Sequence, residues 1–416
     1  MDVTLEQPDL ARALRSVARV VPARFSLPVL RSVLLEGDAG HLILRATDLE
    51  LSVIATVPAQ VAAPGRVAVP ARLVAEYAAQ LPAAPVRLRL DEATTRLRVA
   101  SGRFAANLAS LNADEFPQLP PADGEPLDVD ARELREAIGR VTFAASRDDS
   151  RPVFRSVLLR SGPDGLTLAA ADGFRLARAR VPAAGAAAAE LLVPVRAVVE
   201  FGRALAEVDA ARLTYRGDAP HVHLEAGDTV LIAQVAAGRF PDIEPVLSQP
   251  WGTRVAAAAA DFRQAVRVAG LFGTNGSGSD SRPVVLDASP GRLRLSARGD
   301  ETGDAEAELR AVVDGESHQS VVLNTRLLAD VVDAASGPEL VLTWHGASRP
   351  VAIRMRHAER TTAGGGDPDG SDSLDAWAVM PLLLPQQDQV TGAATSPDDP
   401  AREYEAAPSG EAAPAG

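Results

Sequence analysis

One unit recurs along this chain. SLPVLRSVLL at 26–35 returns as SRPVFRSVLL at 150–159, and other landmarks return at the same distance. Pro28 maps to Pro152, Asp48 to Asp172, Pro70 to Pro194 and Pro117 to Pro241; the separations 152−28, 172−48, 194−70 and 241−117 are all 124. A fixed offset with no gap over so long a stretch is the signature of duplicated globular units, far longer than a solenoid repeat. A third copy is looser. Ser281-Arg282-Pro283-Val284 echoes Ser150-Arg151-Pro152-Val153, and Leu323-Asn324 stands where Val193-Pro194 stood. The expectation is three like domains in tandem, at 1–123, 126–248 and 252–384, followed by an extension at 385–416.

A chain of 416 residues suits that count, since each third can bury a core of its own. Aromatic residues make up only 4%, so those cores must be built from Leu, Val and Ala. There is no cysteine, which excludes disulfides and thiolate metal sites and suits a reducing compartment. No apolar run is long enough to cross a bilayer, and Asp2 stands where a signal peptide needs basic residues. A cytoplasmic protein without membrane contact is expected. All 42 basic residues are arginine, which excludes a P-loop lysine, a Schiff-base lysine and a lysine general base. The net charge of −13 argues against a surface that coats nucleic acid all over. It leaves room for one basic face, because the local field decides binding.

Each copy reads as helix, strands, helix, strands. Leu10, Leu14 and Val17 form an apolar stripe opposite Arg12, Arg15 and Arg19. Leu134, Ile138 and Val141 repeat it opposite Arg132, Arg135 and Arg140, and Phe262 and Val266 repeat it opposite Arg263 and Arg267. The second helices, expected at 70–81, 194–205 and 324–335, add Arg72, Arg196, Arg203 and Arg326, and proline in the first turn starts the first two. In the strands Leu42, Leu44 and Ala46 alternate before Thr47-Asp48, and Leu49, Leu51 and Val53 after it; Asp172-Gly173 hinges the matching pair. Two helices beside antiparallel strands make an α+β domain. Six arginine-bearing helices with acidic residues mostly elsewhere would present a basic face for sequence-independent phosphate contact.

The ordered set of ARFSLPVLRSVLL, TDLE, ADGFRLA, GRFPD and AVMPLLL resembles the bacterial sliding clamps, the beta subunits of DNA polymerase III, from Met1 to about Leu384. The resemblance implies a head-to-tail homodimer, a ring of six domains whose helices line a hole for duplex DNA. It implies a groove for short peptides of the polymerase III alpha subunit, the clamp loader and other factors. It adds Arg24 and Arg151 as loop residues on DNA. It places the groove at Phe154, Ala171, Gly173, Phe174, Arg175, Leu176, Pro241, Val246, Asn324, Leu327, Pro350, Val379, Met380, Pro381 and Leu382. It sets Arg103, Phe104 and Leu108 of one chain against Leu271, Phe272, Asp300 and Glu301 of the next. Phe174, Leu327 and Leu383 depart from the histidine, aromatic and arginine common at those places.

An enzyme is the competing class. The six histidines are scattered, and only His221-x-His223 has ligand-like spacing, without a third ligand in view. Asp48 and Asp172 recur as turn residues, which reads as hairpin chemistry rather than an acid–base pair. Neither a cofactor nor a metal is expected. A three-repeat scaffold that binds peptides without forming a ring is the other alternative; retention on circular DNA separates the two.

Overall fold

The computed structural model describes residues 1–22, 27–91, 93–148, 150–183, 188–216, 220–272, 282–299, 303–316, 318–356 and 375–382. Arg24, Ser281, Asp300, Glu301, Leu383 and the extension 385–416 named above lie outside these.

The helices are α1 (Gln7–Ala18), α2 (Ala71–Gln80), α3 (Ala131–Val141), α4 (Val195–Ala204), the single turn α5 (Glu244–Leu247), α6 (Ala259–Ala269) and α7 (Thr325–Ala334). They pack in pairs, α1 on α2, α3 on α4 and α6 on α7. The expected stripes are inward: Leu10, Leu14, Val17, Leu134, Ile138, Val141, Phe262 and Val266 are all buried. Pro70 and Pro194 sit one position earlier than expected, at the N-caps of α2 and α4. Neither caps through a side chain, but each supplies the extended turn from which the helix starts. No helix among the described residues is long and apolar enough to cross a membrane.

The strands are antiparallel and form sheets of five, eight and twelve. Two of these sheets run through domain boundaries. Leu51–Pro58 of the first domain pairs with Thr229–Gln234, the last strand of the second. Arg175–Val181 of the second pairs with Ala376–Val379, the last strand of the third. Each junction is thus a hydrogen-bonded ladder between a domain's fourth strand and the next domain's last strand.

The recurrent aspartates build the turns that lead into these fourth strands. Asp48 Oδ1 accepts from the backbone N–H of Glu50 (3.1 Å) and Leu51 (2.7 Å). Asp172 Oδ1 does the same for Phe174 (2.9 Å) and Arg175 (3.0 Å). Hairpin chemistry is the correct reading of both. Leu49 does not join the alternation assigned to it. It lies in the turn with φ of 78° and is half exposed, because the aspartate loop takes its backbone out of the ladder.

Candidate functional site

The arginine faces come first. Arg15, Arg72, Arg135 and Arg151 are exposed. Arg12 is exposed and pairs with Asp9 at 2.8 Å, Arg132 with Glu136 at 3.0 Å and Arg267 with Asp333 at 2.9 Å. Arg19 and Arg203 share Glu200. The faces are therefore mixed, not free of acid as the sequence pattern suggested. Exposed pairs of this kind are worth about 0–1 kcal/mol, so a phosphate can displace the carboxylate at little cost.

Three arginines have structural work instead. Arg196 reaches from α4 into the first domain, where it pairs with Asp48 and donates to the Val20 carbonyl at 3.3 Å. Arg263 donates to the Val332 and Ala335 carbonyls at 3.2 and 2.8 Å, satisfying the C-terminal end of α7. Arg140 is not on an open face: it bridges Glu136 and the buried Asp375, and its carbonyl accepts from Trp377 Nε1 at 3.0 Å. Helix periodicity put these three outward; a neighbouring domain or helix covers Arg140 and Arg263, while Arg196 stays exposed as it reaches Asp48.

The groove residues gather around an apolar cluster separate from the main core. Ala171 and Leu176 are buried in it, with Leu158, Phe240, Ile243 and Leu247; Phe154 and Val246 border it half-exposed. Strand alternation corrects one assignment. Ala376 and Ala378 face this cluster, whereas Val379 and Trp377 face the helix-side core. Ala378, not Val379, is the wall residue. The period-two pattern of AWAV carried that signal.

Around the rim, Gly173 takes a φ of 96° and Phe174 is 66% exposed. Arg175 is anchored, paired with Asp172 and Asp330 and lying 5.2 Å over the Phe143 ring. Pro241 and Met380 are exposed, and Pro381 and Leu382 are half-buried. The Met380 N–H donates to the Phe174 carbonyl and the Leu382 N–H to the Val322 carbonyl, both at 2.8 Å. The remaining expected members act on their own domain. The Asn324 side chain caps α7 by accepting from the Arg326 N–H at 3.0 Å, Leu327 packs on the main core, and the Pro350 carbonyl accepts from Gln249 at 2.9 Å.

Sequence reasoning missed what holds the far wall. Arg178, buried on the second-domain sheet, binds both oxygens of Glu244 at 3.0 and 2.8 Å. Arg354, from the third domain, donates to the Leu247 carbonyl. The turn α5, which carries Val246, is thus held from both sides.

At the chain's two open ends, Leu271 is 71% exposed and Phe104 is 43% exposed, with the Arg103 guanidinium 5.1 Å over its ring. Leu108 and Phe272 do not fit the interface role: Leu108 is buried in its own domain and Phe272 packs against its own core. Phe104–Ala109 is the edge of the five-stranded sheet. In the long strand Gly303–Gly315, residues 303–310 pair among the described residues on one side only, with Arg292–Gly299. A cavity of about 450 Å³ beside Arg72 is lined by exposed Leu73 and Leu111.

No group of three or more His, Asp or Glu that could hold a metal occurs among the described residues. His223 is buried, and burial together with His221 pushes its imidazole below the usual histidine range against the pull of Glu225.

Comparison with known proteins fits this architecture. The N-terminal, central and C-terminal domain families of the DNA polymerase III beta subunit match residues 1–120, 128–242 and 252–363. The beta sliding clamp of Caulobacter vibrioides is 31% identical over 363 residues, covering 85% of this chain and 95% of that protein. That of Pseudomonas aeruginosa is 30% identical over 391 residues, covering 92% of this chain and all of the other. The crystal structure of the Pseudomonas aeruginosa DnaN clamp bound to griselimycin superposes with a TM-score of 0.82 at 27% identity, over 92% of this chain and 100% of that one. Tandem clamp domains of this kind define a non-catalytic processivity factor of DNA replication. The chain belongs to the DNA polymerase III beta subunit family, the beta sliding clamps.

Proposed function

We propose that this chain closes head-to-tail with a second copy into a six-domain ring around duplex DNA. We also propose that the slot at the second and third domains tethers short peptides of the polymerase III alpha subunit, the clamp loader and other replication factors. Domain boundaries near 123–126 and 248–252 divide the ring into its repeating units. The observation that carries the reading is the junction pattern. Two junctions, each a fourth strand paired with the next domain's last strand, are complete within the chain. The parts of a further one are left over: residues 303–310 of the third domain and the Phe104–Ala109 edge of the first. Open edges template pairing with another chain, and a heterologous contact that repeats must close or run on as a filament. Clamp-family membership favours closure with two chains.

The same repeat favours a seat for Arg72. Arg196 stands 124 residues after Arg72 and grips the Asp48 turn of the preceding domain. By that repeat, Arg72 of one chain reaches toward the turn after the strand Arg292–Gly299 of the next. Retention on circular DNA that is lost on linearisation tests the ring; a scaffold that only binds peptides shows neither.

Exposed Arg12, Arg15, Arg132 and Arg135 meet phosphates without reading bases, which a sliding ring requires. Replacing all four by glutamate should weaken DNA association by roughly a hundredfold and flatten the slope of log K against log salt. An unchanged slope, measured by fluorescence titration from low to moderate salt, would contradict the lining role.

The Arg178–Glu244 pair holds the slot's far wall. Arg178→Met and Glu244→Gln should each weaken binding of a leucine–phenylalanine-anchored clamp peptide about fivefold, roughly 1 kcal/mol. The double variant should be no weaker than either single one. Fully additive losses would show that the two act separately.

A further inference from the structure

We propose that a cavity of about 620 Å³ between the linker 113–122 and the sheet shared by the first two domains is a second docking site. Its occupant is a short extended peptide carrying an apolar residue next to a basic one. The inference rests on the reading of the slot between the second and third domains as a peptide site.

The 124-residue offset relates the two places residue by residue. Beside the new cavity, Val29, Leu30, Leu34, Phe116 and Leu119 form a small cluster of their own, apart from the main core. Adding 124 to each gives Val153, Phe154, Leu158, Phe240 and Ile243, all in the cluster under the peptide slot. The strand ladders correspond as well. Ser52 faces Ile232 across one junction as Leu176 faces Ala378 across the other, and Ile54 faces Val230 as Arg178 faces Ala376. The first junction therefore repeats the frame of the slot: apolar floor, linker wall, and a strand lent by the following domain.

What differs decides the ligand. Arg178 and Glu244, which pull the far wall down at the slot, are replaced by Ile54 and Pro120, so the wall 117–122 carries no such tie. Ala169 is replaced by Arg45, which pairs with Glu36 on the cavity floor. Arg66, also lining the cavity, is neutralised by Asp114 at 2.8 Å. Glu225 is the lining carboxylate without an ion pair among the described residues, and its neighbour His223 is held toward the neutral form by burial. The cavity thus offers apolar contact from Leu34, Ile54 and Val230 beside the Glu225 carboxylate, whose cross-strand neighbour Arg212 forms its ion pair with Asp128 instead. An aliphatic anchor with an adjacent guanidinium or ammonium fits it; an acidic peptide does not.

The test uses a fluorescein-labelled Leu-Arg-Leu tripeptide titrated into the full-length protein and followed by anisotropy. One arm uses a variant with the slot between the second and third domains disabled, Val246→Asp with Met380→Asp. Saturable binding should survive in that variant, should fall at least tenfold when Glu225→Gln or Val230→Asp is added, and should be at least tenfold weaker for Leu-Glu-Leu. Both added substitutions are at partly exposed positions, and an unchanged melting temperature checks that the fold is kept. Loss of binding on disabling the slot, or indifference to Glu225→Gln and Val230→Asp, overturns the proposal. Whether the slot itself binds peptides is read separately, from a leucine–phenylalanine peptide on the same slot-disabled protein.

Discussion

Leu271→Asp should convert the dimer into a folded monomer that no longer stays on circular DNA. Leu271 lies just past the end of α6 and is 71% exposed, at the end of the chain where the proposed head-to-tail contact places the next copy. Burying a carboxylate there costs about 2 kcal/mol or more at each interface. A two-chain ring has two such interfaces, so the dimer dissociation constant should rise by roughly a thousandfold. Phe272 is left intact because it supports its own domain. Sedimentation velocity at micromolar protein reads the outcome, and a dimer that persists there contradicts the head-to-tail contact. The melting temperature should stay within a few degrees of the parent, since no core contact is lost.

Val246→Asp with Met380→Asp should abolish useful binding of a leucine–phenylalanine-anchored clamp peptide. Val246 borders the apolar cluster half-buried and Met380 is exposed beside Phe174, so charge enters the slot without opening the core. Desolvating two carboxylates against apolar anchors should cost about 3 kcal/mol, roughly a hundredfold in affinity. Anisotropy with a labelled peptide measures it, and an affinity within threefold of the parent would remove the slot from the mechanism. Truncation is a poorer test than it looks from sequence. Stopping after Ala378 deletes Val379, which is fully buried, and shortens the strand that joins the second and third domains.

Much of this was legible before any coordinates. The tandem count, the stripes Leu10-Leu14-Val17 and Leu134-Ile138-Val141, and the aspartate turns all follow from periodicity and local backbone chemistry. Such signals are carried within a few residues. The contacts that the pattern did not show share a different cause. Arg140, Arg196 and Arg263 sit on polar helix faces by pattern, yet each is claimed by a group far away in sequence: Asp375, Asp48 and the end of α7. Helical periodicity separates buried from exposed within one domain and is silent about what the next domain brings. Val379 was a different slip, one residue along a strand, where alternation turns a wall into core. The Arg178–Glu244 tie was hidden because a buried arginine in a strand announces itself only once its partner is in place.

The last ordered strand has a consequence for how the molecule comes into being. Ala376–Val379 is laid down after every other strand described here, yet it sits between Arg175–Val181 and Val351–Arg356 as the seam of the twelve-stranded sheet. Ala378 and Met380, at that seam and just past it, complete the peptide slot. During synthesis the first domain can fold while the slot has only half its lining. A chain interrupted early therefore cannot recruit a replication partner to a clamp that cannot yet hold DNA; the docking function is acquired last.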